Sequence, residues 1–248
     1  MRIPRLYLPA EYQSGRVLDL TKDQAHYALT VLRLKAEHPL EVFDGEGHQA
    51  QAQLQILNKR EAQITLGEIQ RPNTESPLNT LLIQGISRGE RMDYSLQKAV
   101  ELGVSAIQPV FTERCEVRLD PQKAEKRRQQ WQALVISACE QSGRCVVPIV
   151  RPLITLNTWF SDHPQQPGLV LDPYAQQTLM TFKPEQMQTT ELALLIGPEG
   201  GLSETEVEQA KTNGLTAVRL GPRVLRTETA APVVLSLLQA QWGDLNAS

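Results

Sequence analysis

The chain is short of the features that mark several common protein classes. No stretch approaches the ~20 consecutive apolar residues that a membrane-spanning helix needs. Its first residues, Met1-Arg2-Ile3-Pro4-Arg5, carry no apolar signal core. A soluble, cytoplasmic protein without a membrane partner is therefore expected. The three cysteines, Cys115, Cys139 and Cys145, lack the close paired spacing of a zinc site. They are expected to be reduced thiols, and no bound metal is expected. Positive charge is not in excess, since 25 basic side chains stand against 28 acidic ones. Any nucleic-acid partner must then be met by local patches rather than by overall charge.

What is present divides at a linker. Arg71-Pro72-Asn73-Thr74-Glu75-Ser76-Pro77 has two prolines and no periodicity, so we place one domain at residues 1–72 and a second at 73–248. In the first, Gln49 to Ile56 and Glu61 to Leu66 alternate polar and apolar residues around an Asn58-Lys59-Arg60 turn, the mark of a half-buried hairpin. Leu40 to Phe43 runs into Asp44-Gly45, and Ile3–Leu8 and Arg16–Leu20 add short strands. Thr21 with Gln24 starts one short helix through Leu32-Arg33. Five strands and a helix suggest a small barrel, a form that either holds nucleic acid or simply completes a fold.

Beyond the linker, strands alternate with helices. Strands are expected at 80–86, 106–111, 146–150, 168–171, 192–196 and 216–220. Helices are expected at 90–102, from Asp120-Pro121 to Ser142-Gly143, at 203–213 and at 227–242. This pattern predicts an α/β domain with a mainly parallel sheet. The long helix carries Lys123, Lys126, Arg127 and Arg128 on one face, read chiefly as solvated surface.

Two strand-to-loop junctions near the C-terminus read alike: Leu194 to Ile196 followed by Gly197-Pro198-Glu199-Gly200-Gly201, and Val218 to Leu220 followed by Gly221-Pro222-Arg223. After the first, Ser203 and Glu206 have capping-box spacing. After the second, Pro232 is expected among the early helical residues whose amides need no partner. Glycines let a ligand approach bare backbone, so side by side these loops could line one pocket; either could also be a structural turn. The first is no phosphate loop, because it lacks both the Lys-Ser/Thr ending and the dinucleotide spacing. Residues 152–248 hold ten acidic and five basic groups, which favours a neutral or cationic ligand over a polyphosphate. S-adenosylmethionine meets that description.

These two motifs, Leu194 to Leu202 and Leu220 to Ala230, closely resemble the cofactor motifs of the bacterial 16S ribosomal RNA uracil-N3 methyltransferases, the RsmE family of the SPOUT class. The likeness extends to Ser87 to Met92, Gln97 to Val104, Glu113-Arg114-Cys115, Cys139 to Arg144, Arg2-Ile3-Pro4-Arg5, Val31-Leu32-Arg33 and Phe43-Asp44-Gly45. Only about 155–190 matches poorly. The resemblance implies a PUA-like RNA-binding β-barrel, then a SPOUT-type trefoil-knotted, mainly parallel sheet with helices on both faces. It also implies a homodimer, S-adenosylmethionine as methyl donor, and 16S ribosomal RNA, within the small ribosomal subunit, as substrate. Carried over, the cofactor-binding residues are Leu171, Leu195, Ile196, Gly197, Pro198, Glu199, Gly200, Gly201, Leu220, Gly221, Pro222, Leu225, Arg226, Thr227, Glu228, Thr229 and Ala230.

Uracil N3 is mostly protonated at neutral pH, so its methylation needs help with that proton. Arg226 is the first catalytic candidate, as a cation stabilising negative charge on O2 or O4 of the base. Glu228 is the second, as base or as partner of Arg226; a structural Arg-Glu pair at a helix start is the alternative. RNA contacts are expected from Arg2, Arg5 and Arg33 on the barrel and from Arg88, Arg91, Arg114 and Arg144 around the pocket mouth. Two other readings remain compatible: a SPOUT enzyme acting on another nucleotide or atom, and an RNA-binding assembly factor without catalysis.

Overall fold

A computed structural model describes residues 3–36, 38–182 and 191–245. The chain divides into two compact units, Met1–Glu75 with Cys139–Val147, and Ser76–Ala138 with Pro148–Ser248. The division falls within the proline-containing linker. That residues 139–147 join the first unit was not legible in the sequence.

The first unit contains β1 (Arg5–Tyr7), β2 (Val17–Asp19), α1 (Lys22–His26), β3 (Pro39–Phe43), β4 (Gln49–Ile56) and β5 (Ala62–Gln70). Its sheet runs β1-β3-β4-β5-β2, with β1 parallel to β3 and the other pairs antiparallel. The period-2 alternation sets its register: Ala50, Ala52 and Leu54 of β4 and Ala62, Ile64 and Leu66 of β5 are buried in one core. The turn between them forms as expected, with the Asn58 side chain accepting the Arg60 amide at 2.9 Å. Among the described residues no ladder joins β1 to β2, so the bonded path of this five-stranded sheet stays open.

Thr21 and Gln24 do form a capping box at the start of α1. The helix does not continue evenly to Arg33. It widens into a π-helical turn at Tyr27–Val31 and ends at Arg33 with φ 53°. The Leu32 amide then reaches the Tyr27 carbonyl and the Leu34 amide the Ala28 carbonyl, which lets Ala28 and Leu34 both enter the core.

Residues 139–147 are bound to the strands of this unit by polar contacts. Arg5, whose side chain is buried, pairs with Glu41, donates to the Cys139 carbonyl at 2.8 Å and lies over the Phe43 ring. Glu75 accepts from Arg144 at 2.6 Å and from the amides of Cys145 and Val146 at 3.0 and 3.1 Å.

The second unit contains β6 (Thr80–Gly85), α2 (Glu90–Glu101), β7 (Ala106–Phe111), most of α3 (Pro121–Ser142), β8 (Ile149–Val150) and β9 (Ile154–Thr155). After these come α4 (Leu156–Asp162), β10 (Gly168–Leu171), β11 (Leu192–Ile196), α5 (Glu204–Thr212), β12 (Leu215–Val218) and α6 (Thr227–Trp242). Its strands are all parallel, in the order β12-β10-β11-β6-β7-β8, with β9 also pairing β7. β11 lies between β10 and β6 and is buried throughout, which explains an apolar run without alternation. α4 and β9 were not expected. Thr155 caps α4 by accepting the Thr158 amide at 3.1 Å, and the helix buries Leu156, Trp159 and Phe160.

Candidate active site

In a parallel sheet every strand ends at the same edge, so the loops that follow neighbouring strands are neighbours themselves. β12, β10 and β11 are adjacent, and the segments leaving them enclose a cavity of about 420 Å³. That volume lies within the ~300–1,000 Å³ of small-molecule sites. Leu171, Asp172 and Pro173 contribute from the end of β10, Ile196 to Glu199, Gly201 and Leu202 from the end of β11 and the loop after it, Val218 to Gly221 and Arg223 to Arg226 from the end of β12 and the loop after it, and Thr227, Glu228 and Ala230 from the first turn of α6. Arg91 of α2 completes the lining.

The first loop folds tightly on itself. A Cβ at Gly197 would lie 2.8 Å from the Gly201 carbonyl carbon, so only glycine permits the turn. The Gly201 amide closes it on the Pro198 carbonyl at 2.9 Å. The chain then enters α5 through the expected capping box: Ser203 Oγ accepts the Glu206 amide, and Glu206 Oε2 accepts the Ser203 amide at 2.9 Å. Glu206 is buried, and its second oxygen accepts the Glu113 amide at 2.8 Å.

The second loop turns at Gly221, whose φ of 96° is one that side-chain-bearing residues rarely adopt. Nothing lies within 4 Å of where its Cβ would stand, so bare backbone lines the cavity there. α6 begins at Thr227 with Arg226 as N-cap in extended conformation. Pro232 is therefore the sixth helical residue, not one of the early ones. Lacking an N–H, it leaves the Glu228 carbonyl without its usual donor four residues on.

One buried hydroxyl ties the loops together. Thr227 Oγ1 donates to the Gly197 carbonyl at 2.7 Å and accepts from Gln84 Nε2 at 3.0 Å. Three sequence-distant segments thus share a side chain that is only 6% exposed.

The charged groups of the cavity are Asp172, Glu199 and Glu228 against Arg91, Arg219, Arg223 and Arg226. The acidic balance of the C-terminal third does not carry over to the lining: of the carboxylates on α5, Glu204 and Glu208 are exposed and Glu206 is buried in the helix cap, away from the cavity. Glu199 accepts the Arg88 amide at 2.9 Å and Arg91 Nη1 at 3.1 Å. Partial burial works to raise its pKa, but the amides of Arg88 and of Glu199 itself and the Arg91 guanidinium together hold it below the usual carboxylate range. Arg91 Nε also approaches Glu228 Oε1, at 3.9 Å. The other Glu228 oxygen is buried without a hydrogen-bond partner among the described residues.

Of the residues expected to bind cofactor, Leu195, Gly200, Pro222 and Thr229 do not line the cavity. Leu195 is wholly buried in the core of the sheet because β11 is central, and Gly200 packs against Arg114. Both catalytic candidates line the cavity, Arg226 exposed and Glu228 half-buried. Asp172, Pro173, Leu202, Val218, Arg219, Arg223 and Val224 also line it and were missed. Asp172 and Pro173 directly follow a parallel strand, a position at which ligand sites recur.

The arginines expected on RNA separate into groups. Arg2 lies outside the described residues. Arg33 is exposed on the first unit. Arg5 and Arg144 are corrected: both side chains are largely buried and engaged with Glu41, Glu75 and backbone carbonyls, so their charge is used internally. Arg88, Arg91 and Arg114 are exposed on the second unit, where Arg88 pairs with Glu116 at 2.9 Å and Arg114 donates to the Gly200 carbonyl at 3.3 Å. Among the described residues no group of side chains could hold a metal ion, and no helix is long and apolar enough to cross a membrane.

Comparison with known proteins defines the class. Residues 74–239 match the RNA methyltransferase domain family, and residues 20–67 match the RNA methyltransferase PUA domain. The chain is 36% identical to the ribosomal RNA small subunit methyltransferase E of Buchnera aphidicola subsp. Schizaphis graminum, over 99% of each chain. The crystal structure of the enzyme of that name from Neisseria gonorrhoeae, bound to S-adenosyl methionine, superposes with a TM-score of 0.91 at 41% identity, covering 99% of this chain and 100% of that one. A Legionella pneumophila protein solved with the same cofactor gives 0.93 at 39% identity over 99% and 100%. The chain belongs to the ribosomal RNA small subunit methyltransferase E family.

Proposed function

We propose that this protein transfers a methyl group from S-adenosylmethionine to N3 of one uridine in the 16S RNA of the small ribosomal subunit. The observation that carries the reading is the convergence of the two glycine-proline loops on one cavity that also holds Arg226 and Glu228.

The lining suits the cofactor in size and in kind. Backbone at Gly197, Gly201 and Gly221 is bare. The loops of Ile196 to Gly201 and Leu220 to Ala230, with Leu171, would hold it. Bound there, it supplies a methyl group on a cationic sulfur, the bond to which breaks as the nitrogen lone pair takes the methyl.

The chain's own task is to bare that lone pair and hold the base in line. Glu228 accepts the N3 proton. Arg226 faces the oxygen on which negative charge then gathers, and its interaction strengthens as the charge develops.

Residues 1–72 serve as the RNA-binding domain and 73–248 as the catalytic one, a reading supported by the two family matches. Of the arginines expected on RNA, Arg33, Arg88 and Arg114 are exposed and can meet phosphate, and binding should weaken as salt rises. The enzyme works in the cytoplasm as a homodimer. Exposed Tyr174, Met180 and Val224 on the second unit support an apolar contact face.

The test is purified protein with labelled methyl donor and 16S RNA or small subunits lacking the mark. Label at N3 of a single uridine is expected. Label on another atom, or RNA binding with no transfer, would overturn the assignment.

A further inference from the structure

Arg91 was expected at the pocket mouth as an RNA contact. It instead lines the cavity between two carboxylates and serves them unequally. Its Nη1 bonds Glu199 of the first loop at 3.1 Å, whereas its Nε stands 3.9 Å from Glu228 at the start of α6, beyond hydrogen-bond reach. Glu199 is further secured by the Arg88 amide. Among the described residues, one buried Glu228 oxygen has no hydrogen-bond partner.

A carboxylate oxygen removed from water and given no donor is destabilised in its charged form. A second guanidinium bond would relieve it but would also weaken it as a proton acceptor. The commitment of Arg91 to Glu199 withholds that bond.

We propose that Arg91 is a positioning residue for methyl transfer: by pairing with Glu199 it fastens the first loop to α2 and keeps Glu228 under-bonded, ready to take a proton from the target base. This rests on the methyltransferase reading above, which wild-type turnover tests separately. The other charged groups sharing the cavity with Glu228 are Asp172 at the end of β10, Arg219, Arg223 and Arg226 of the loop after β12. Arg219 is occupied with the Ala175 carbonyl at 3.3 Å.

Two substitutions then push the acid limb of the pH profile of kcat/KM in opposite directions. Arg91→Ala removes the nearby cation and moves the limb to higher pH. Glu199→Gln removes a like charge and releases Arg91 toward Glu228, moving the limb to lower pH. A displacement of about half a pH unit or more is expected for each, with Arg91→Lys close to wild type. A merely structural ion pair would lower thermal stability alike in Arg91→Ala and Glu199→Gln without opposed displacements. Limbs that move in the same direction, or do not move while wild-type turnover is intact, would overturn the proposal. If Arg91→Ala does not fold, Glu199→Gln and Arg91→Lys decide it, and an unmoved limb in Glu199→Gln is sufficient to reject it.

Discussion

The hydroxyl of Thr227 donates a 2.7 Å hydrogen bond to the carbonyl of Gly197, joining the first residue of α6 to the turn that follows β11. Because the same oxygen accepts from Gln84, neither loop can shift without leaving a buried polar group unpaired.

Thr227→Val keeps the shape but deletes both bonds. We expect a loss of about 1–3 kcal/mol in urea unfolding, with weaker S-adenosylmethionine binding by calorimetry. Thr227→Ser should recover most of both. Unchanged stability in the valine variant would show that the bond does not hold the loops.

Arg226→Ala should retain cofactor binding, because the loop backbone and the cap carbonyl remain. Its turnover should fall by about 100-fold or more, the scale on which losing one donor to a developing anion is felt. Single-turnover methylation measures this, and a wild-type rate would exclude the role.

Glu199 gives a pH dependence with a defined sign. Its folded pKa is depressed, so its contribution to stability is present above the ordinary carboxylate pKa and fades as pH falls through the folded value. Thermal unfolding should find Glu199→Gln less stable than wild type near pH 7, with the gap closing on acidification to about pH 4 and below. A gap that widens in acid would contradict the geometry.

Arg144 distinguishes internal from RNA-facing charge. Its pair with Glu75 is largely buried, so Arg144→Ala should cost about 2 kcal/mol or more in denaturant unfolding. The salt dependence of RNA binding should be unchanged in the folded variant. A shallower salt slope with full stability would return Arg144 to the RNA surface.

Much of this was legible locally. The alternation across β4 and β5, the Thr21 and Ser203 capping boxes and the two glycine-proline turns are decided by neighbours in sequence, so spacing alone revealed them. The π-helical turn before Arg33 was not legible, because it arises where Ala28 and Leu34 must share one core. The short helix α4 was missed because its stability comes from burying Trp159 and Phe160 rather than from a long periodic stripe.

Residue order by itself determined where the turns fall, which runs are strands, and that two similar loops end in helices, since each depends on the preferences of a few adjacent residues. Only the tertiary structure decided which charges meet. Strand order brought the end of β10 between β11 and β12, set Arg91 beside Glu199 and Glu228, and buried Arg5 and Arg144. Those outcomes depend on long-range pairing, and an arginine's sequence neighbours do not reveal whether its partner will be a carboxylate, a carbonyl or water.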